Sequence, residues 1–219
     1  MEGYAMRIVT AAQMKQIERN ADAAGLSYLQ MMENAGTAAY REIRARRPDA
    51  RAMTVVAGKG NNGGDGFVIA RLAAQDGLTV RVVLAEGAPV TEDARVNFER
   101  LRGVDVAVCA IEQVEQLRGA DVVVDALYGT GFHGALRPSG AKACRLMWEA
   151  GAYLAALDVP SGVHADTGDI AGGAVRADLT VTFDSCKPLH VQPGSRAHCG
   201  EIVCADIGIP EHCHNGIGE

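Results

Sequence analysis

The chain has 219 residues, of which 48% are apolar and 22% charged, with a net charge of −6. This apolar share builds a sizeable core and excludes wholesale disorder, and the length suits one domain, 1–219. The acidic balance and the 5% aromatic content argue against a nucleic-acid-binding face.

Two helices are expected first. Thr10 with Gln13 forms a capping box, and Met14, Ile17 and Ala21 follow at helical spacing up to Gly25. Ser27 with Gln30 repeats the start signal. Leu29, Met32, Gly36, Ala39 and Ile43 then step along one face, and Arg44, Arg46 and Arg47 load the last turn before Pro48. These helices form a lead-in, 1–50. From 51 to 210 short β-branched runs alternate with helical stretches. Strands are expected at 53–57, 79–85, 104–108, 121–125, 153–157, 179–183 and 201–204, and helices at 65–75, 91–101 and 139–149. Continuous apolar runs such as VVVDAL mark burial on both faces of a parallel sheet. The alternation predicts an α/β fold, a three-layer, doubly wound, mostly parallel sheet with two N-terminal helices. Residues 211–219 read as a tail.

The cysteines at 109, 144, 186, 199, 204 and 213 form no CxxC pair and read as reduced thiols. His198, Cys199, Cys204, His212, Cys213 and His214 are zinc-capable types, but EIVC reads as strand and HCH as tail, so no zinc site is expected. No window approaches ~18 consecutive apolar residues, so no membrane span is expected. MEGYAMRIVT lacks the apolar stretch of a secretory leader, and the cytoplasm is the expected location.

In doubly wound sheets, ligands bind beyond the carboxyl ends of the strands, where strand order reverses. Three such ends carry glycine-rich loops: GKGNNGGDG (58–66), DALYGTGFHGALR (125–137) and LDVPSGVHADTG (157–168). The first holds Gly58, Gly60 and Gly63 as GxGxxG, with Glu86 closing the next strand, as in dinucleotide binding. Asn61, Asn62 and Asp65 crowd that turn, and a carboxylate there repels a pyrophosphate, which disfavours a hydride-transfer dehydrogenase. Capping of the next helix by Asp65 explains that residue, but not the acids at the other strand tips. Gly63 and Gly64 are expected to present a turn's backbone to the ligand. Asp65, Asp125 and Asp158 converge if their strands are neighbours. Amide, hydroxyl and carboxylate oxygens suit an alkali or alkaline-earth ion, with Asn62, Asp125 and Ser161 as the chosen donors. The absence of GxxxxGK[ST] and GxSxG excludes a P-loop NTPase and an α/β-hydrolase.

GKGNNGGDGFVIAR, VVVDALYGTG, ALDVPSGVHADTG and ADLTVTFDSCKPLH…PG…CGEIVCADIGIP resemble the NAD(P)H-hydrate epimerase family, the YjeF-type N-terminal domain. QMKQIERNADAAGLSYLQMMENAG resembles the same family's two-helix lead-in, so the likeness covers nearly the whole chain in order. It implies a Rossmann-like α/β/α fold and an isomerase that interconverts the R and S epimers of hydrated NADH and NADPH, a repair of damaged cofactor. A separate or fused dehydratase then acts on the S epimer; with no such domain here, the chain is expected to be a stand-alone or excised epimerase. The resemblance implies substrate contacts at Asn61, Asn62, Gly63, Gly64 and Asp65, at Gly129, Thr130, Gly131, Phe132, His133, Gly134 and Ala135, and at Asp158. It also implies a potassium ion on Asn62, Asp125 and Ser161.

His133 is expected at the rim without a chemical role, and Lys187 either meets a phosphate or forms a surface salt bridge. Asp158, at a strand tip before a tight PSG turn, is the candidate acid/base for proton transfer at the substrate hydroxyl. Neither nucleic acid nor a membrane is an expected partner, and a homodimer is left open. The competing expectation is a non-catalytic nucleotide- or protein-binding module of the same fold; intact Asp65, Asp125 and Asp158 favour the enzyme.

Overall fold

Thr10 opens the first helix as its sequence dictates. Its Oγ1 accepts from the Gln13 amide (3.2 Å), and the Gln13 side chain accepts from the Thr10 amide (2.8 Å), starting α1, Ala11–Ala23. Ser27 Oγ likewise accepts from the Gln30 amide (3.2 Å) and starts α2, Tyr28–Arg46. Here the Gln30 side chain runs on to Asn34 (2.8 Å), so only half of the box forms. A computed structural model describes residues 7–217. Residues 1–6, the start of the stretch read for a leader, and 218–219, the end of the expected tail, lie outside the described residues.

Among the described residues the strands are β1 (Ala52–Ala57), β2 (Thr79–Leu84), β3 (Val106–Ala110), β4 (Val122–Ala126), β5 (Tyr153–Leu157), β6 (Leu179–Phe183) and β7 (Glu201–Ala205). They form one sheet in the order β3-β2-β1-β4-β5-β6-β7, with every neighbouring pair parallel. The other helices are α3 (Asn61–Gln75), α4 (Glu92–Arg100), α5 (Pro138–Glu149) and the short α6 (Pro193–Arg196). Alternate strand residues enter opposite layers. Val55 of β1 and Val124 of β4 join the core shared with α1, α2 and α3, whereas Val56 and Val123 join the core under α5. Both faces are covered, which is why these strands read as unbroken apolar runs.

Three departures from expectation exceed one residue. β3 begins two residues later than predicted, because α4 runs on into a 3-10 turn, Leu101–Gly103, and the Val104 amide donates to Leu101 O (3.2 Å). α3 begins at Asn61 rather than at residue 65, for reasons of packing given below. Within the expected tail, Glu211–His214 forms a 3-10 turn with Cys213 and His214 buried. Asn20 of α1 donates to Cys213 O (2.8 Å), and His214 Nε2 lies 2.9 Å from Asp184 Oδ2. His198 lies on Val175 O (2.7 Å) and Cys199 on Ser195 O (3.5 Å), and the six cysteines are unpaired. Among the described residues, no helix is long and apolar enough to cross a membrane.

Candidate active site

The sheet order reverses between β1 and β4: β1 leads outward to β2, and β4 leads the other way to β5. A crevice therefore opens beyond their carboxyl ends. The loops after β1, β4 and β5 meet there around a cavity of about 640 Å³, and α1 closes one side with Met14, Lys15 and Glu18. Asn61, Asn62, Asp65, Gly129, Thr130, Gly131, Phe132, His133, Ala135, Asp158 and Lys187 all reach its wall. Gly63, Gly64 and Gly134 do not line it, and neither do Asp125 and Ser161, which are fully buried.

The first glycine-rich segment is a helix start rather than a turn. Gly60 is the N-cap and caps nothing with a side chain, so the amides of the first turn face the crevice as an anion-binding end. Gly63 and Gly64 are needed for packing. A Cβ on Gly63 would lie 2.0 Å from Gly58 O, and one on Gly64 would lie 2.4 Å from Met32 Sδ and 3.2 Å from Ala94 Cα. Asp65 sits inside α3 and is therefore no cap. Burial, then the charges of Asp158 and Glu18, raise its carboxyl well above the ordinary range, which works against the repulsion of a pyrophosphate expected of a carboxylate here.

Asp158 occupies the tip of β5 in the left-handed backbone region, φ +63, which L residues adopt at a cost of order 1–3 kcal/mol. Its amide donates to Val181 O (2.7 Å), and its carbonyl meets His190 Nε2 (3.1 Å). His190 Nδ1 accepts from the Lys187 amide (3.0 Å), which assigns the ring proton to Nε2. The carboxylate is held on both oxygens: Oδ1 faces Lys187 Nζ (2.7 Å) and accepts from Thr182 Oγ1 (3.1 Å), and Oδ2 accepts from the Thr130 amide (3.3 Å). Burial pushes this carboxyl up, but the Lys187 ammonium, with His190 and Thr182, outweighs it and holds Asp158 below the usual range. Asp158 is thus ionised at neutral pH. Lys187 is only 1% exposed and also donates to Thr182 Oγ1 (2.9 Å) and Phe183 O (3.2 Å), so the surface salt bridge gives way to a buried one.

Behind the wall, Asp125 and Ser161 tie β4 to the β5 loop. Asp125 Oδ1 accepts from Ser161 Oγ (2.7 Å) and the Leu127 amide (3.2 Å), and Oδ2 accepts from the Ser161 amide (2.8 Å). Ser161 Oγ accepts in turn from the Tyr128 amide (2.9 Å). Burial lifts the Asp125 carboxyl to about 6, with these hydrogen bonds opposing it. Asp125 makes no ion pair among the described residues, and the buried Asn62 Nδ2 has no hydrogen-bond partner there. A Cβ on Gly129 would lie 3.3 Å from Asp158 Oδ2 and 3.4 Å from Asn62 Oδ1, so this glycine lets the two oxygens draw close to the loop. The Asp125 carboxylate, the Ser161 hydroxyl oxygen and the Asn62 amide oxygen are hard donors of the kind that suits a monovalent cation, whereas the orphaned Asn62 Nδ2 is a hydrogen-bond donor and takes an acceptor.

His133 lies on the rim, with Nδ1 2.7 Å from His164 Nε2. His164 Nδ1 accepts from the Asp166 and Thr167 amides, so it is His164 that donates. Sequence reasoning missed Glu18, Thr182 and His190. Thr182 and His190 touch Asp158 only through the folding of the segment after β6, which no local pattern announces. Glu18 had a signal, an acid on the apolar stripe of α1.

A family model described as YjeF-related protein N-terminus matches residues 28–189. A protein named NAD(P)H-hydrate epimerase from Pirellula staleyi is 36% identical, over 85% of this chain and 85% of its own. Proteins named bifunctional NAD(P)H-hydrate repair enzyme Nnr are 42% identical in Pyrobaculum aerophilum (97% of this chain, 44% of the relative) and 35% identical in Escherichia coli (86% and 37%). The chain thus spans less than half the length of these bifunctional relatives. The crystal structure of yeast ynu0, YNL200c, superposes with a TM-score of 0.79 at 22% identity, covering 98% of this chain and 94% of that one, and shares the fold. Taken with a match that runs from α2 to the loop carrying Lys187, this shows that the chain belongs to the YjeF-related protein N-terminus family.

Proposed function

We propose that this chain is an isomerase that interconverts the R and S epimers of hydrated NADH and NADPH. The observation that carries the reading is Asp158, ionised against Lys187 on the wall of the switch-point cavity beside the open amino end of α3. Membership of a family whose relatives include a named NAD(P)H-hydrate epimerase supports it over a purely binding module. The reacting centre is a ring carbon bonded to both a hydroxyl and the ring nitrogen. Asp158 accepts a proton at an oxygen on that carbon, and Lys187 and Thr182 hold the carboxylate for this task. The α3 amides bind the pyrophosphate, and the loop 129–135 packs on the nicotinamide end.

Asn62, Asp125 and Ser161 would hold a potassium ion. When bound, it supplies a fixed positive charge beside the substrate. We further propose that the chain works in the cytoplasm and hands the S epimer to a dehydratase. The test is chromatographic: separated epimers of hydrated NADH are mixed with the protein and their peaks followed. Equilibration faster than in buffer supports the reading; an unchanged rate overturns it.

A further inference from the structure

Met14, Ile17 and Ala21 are the buried residues of α1, and Glu18 falls on their stripe, four residues after Met14 and three before Ala21. The position suits an apolar side chain. Instead a carboxyl stands on the cavity wall, at the border with a smaller hollow of about 80 Å³ that Asp65 also lines. Asp158 and Glu86, on the same wall, are tied to Lys187 and to Tyr128. Glu18 makes no hydrogen bond or ion pair with protein groups among the described residues. An acid that breaks an apolar stripe, borders a cavity and lacks a protein partner is available to a ligand.

Epimerisation by loss and return of water creates a need for such a group. The hydroxyl leaves one face of the ring carbon and water arrives at the other. Asp158, held on both oxygens, serves one face only. We propose that Glu18 is the second catalytic carboxyl of this site, acting on the face of the ring carbon opposite Asp158; this rests on the epimerase reading above. The carbon–oxygen bond breaks with its electron pair going to oxygen, which takes the proton of Glu18 and departs as water. The ring nitrogen's lone pair forms a carbon–nitrogen double bond. A water on the other face adds its oxygen to the carbon, the double-bond pair returns to nitrogen, and the water's extra proton passes to Asp158. Exchange with solvent water then takes the proton from Asp158 and returns one to Glu18, which restores both carboxyls for the next turnover.

The surroundings suit these roles. Burial, then the Asp158 charge, lifts the Glu18 carboxyl to about 7, with Asp184 adding to the rise and Lys187 and Lys15 opposing it. The charged or titratable groups facing it are Lys15 on α1, Tyr28 on α2, Asp65 on α3, Asp93 on α4, Asp158 after β5, and Asp184 and Lys187 after β6. One carboxyl keeps a proton while the other has lost it, as an acid and base pair requires.

The test follows wild type, Glu18→Gln and Glu18→Asp by epimer interconversion from about pH 5 to about pH 9, with the enzyme-free rate subtracted and melting temperatures recorded. Glu18→Gln is expected to lower kcat by about 100-fold or more with KM little changed, and to abolish the decline in rate above about pH 7. A Glu18→Gln variant with wild-type kcat overturns the proposal. Should Glu18→Gln not fold, Glu18→Asp decides: its shorter reach should lower kcat about tenfold, and a wild-type rate overturns the assignment. A wild type that leaves the epimers untouched is a separate outcome, and it removes the epimerase reading itself.

Discussion

Lys187 Nζ lies 2.7 Å from Asp158 Oδ1, and the two side chains are 1% and 14% exposed. The lysine spends its other two donors on Thr182 and Phe183, so the pair is closed on the cation's side and open to the cavity on the carboxylate's side.

Removing the cation should therefore be costly. Lys187→Met leaves a buried carboxylate uncompensated and is expected to lose about 3–5 kcal/mol of stability at neutral pH. The pH dependence changes sign with it. In wild type, Asp158 is held below its unfolded value, so its contribution is present above about pH 4 and fades as pH falls through the folded pKa. In Lys187→Met, burial is opposed only by His190 and Thr182, the carboxyl rises, and stability is lost as pH increases through the raised pKa. Urea midpoints across pH check both; a loss under about 1 kcal/mol contradicts the assignment.

Asp158→Asn should fold, because asparagine tolerates the left-handed backbone at φ +63 better than most residues, but it should be less stable, since the buried Lys187 loses its counter-ion. Epimer interconversion should fall by about 100-fold or more, the scale of a lost acid or base. Near-normal turnover by purified, folded variant would end the case for Asp158.

Two glycines three residues apart should behave in opposite ways. Gly63→Ala forces a Cβ to 2.0 Å from the Gly58 carbonyl and should lower the melting temperature severely. Gly60→Ala meets nothing within 4 Å at a φ of −96 and should melt within a few degrees of wild type. Equal melting temperatures for the two variants would remove close packing as the reason for the glycine at 63.

Potassium chloride, exchanged against choline chloride at constant ionic strength, should raise the melting temperature. A ligand at 100 times its Kd that binds only the folded state adds about 2.7 kcal/mol. Ser161→Ala removes one donor and should abolish the response. Identical melting in the two salts, or a larger rise with zinc, would refute the monovalent site.

The sheet was legible because VVVDAL and TVVA cannot be buried on one face only, and the caps at Thr10 and Ser27 are written in local chemistry. Asn62, Asp125 and Asp158 were legible as strand-tip residues once β1, β4 and β5 were taken as neighbours. The start of α3 was not. Two adjacent glycines signal a turn when only local conformation is weighed, whereas here Met32, Ala94 and the Gly58 carbonyl exclude any side chain. Lys187 misled because a charged type reads as solvent-facing, and only tertiary structure reveals that it is enclosed against Asp158.

The 3-10 turn Glu211–His214 has a consequence for the order of assembly on the ribosome. Asn20 reaches Cys213 across 193 positions, Arg7 meets Glu211 across 204, and the Ile8 bridge goes to Cys186. The helix bearing Glu18 is synthesised before every strand of the sheet, yet the turn that brackets it follows the last of them. α1 must therefore wait, while β1 to β6 emerge and pair, before its wall of the cavity can be locked. Ligand-binding competence should appear on nascent chains only after residue 214 has cleared the exit tunnel, later than the sheet itself.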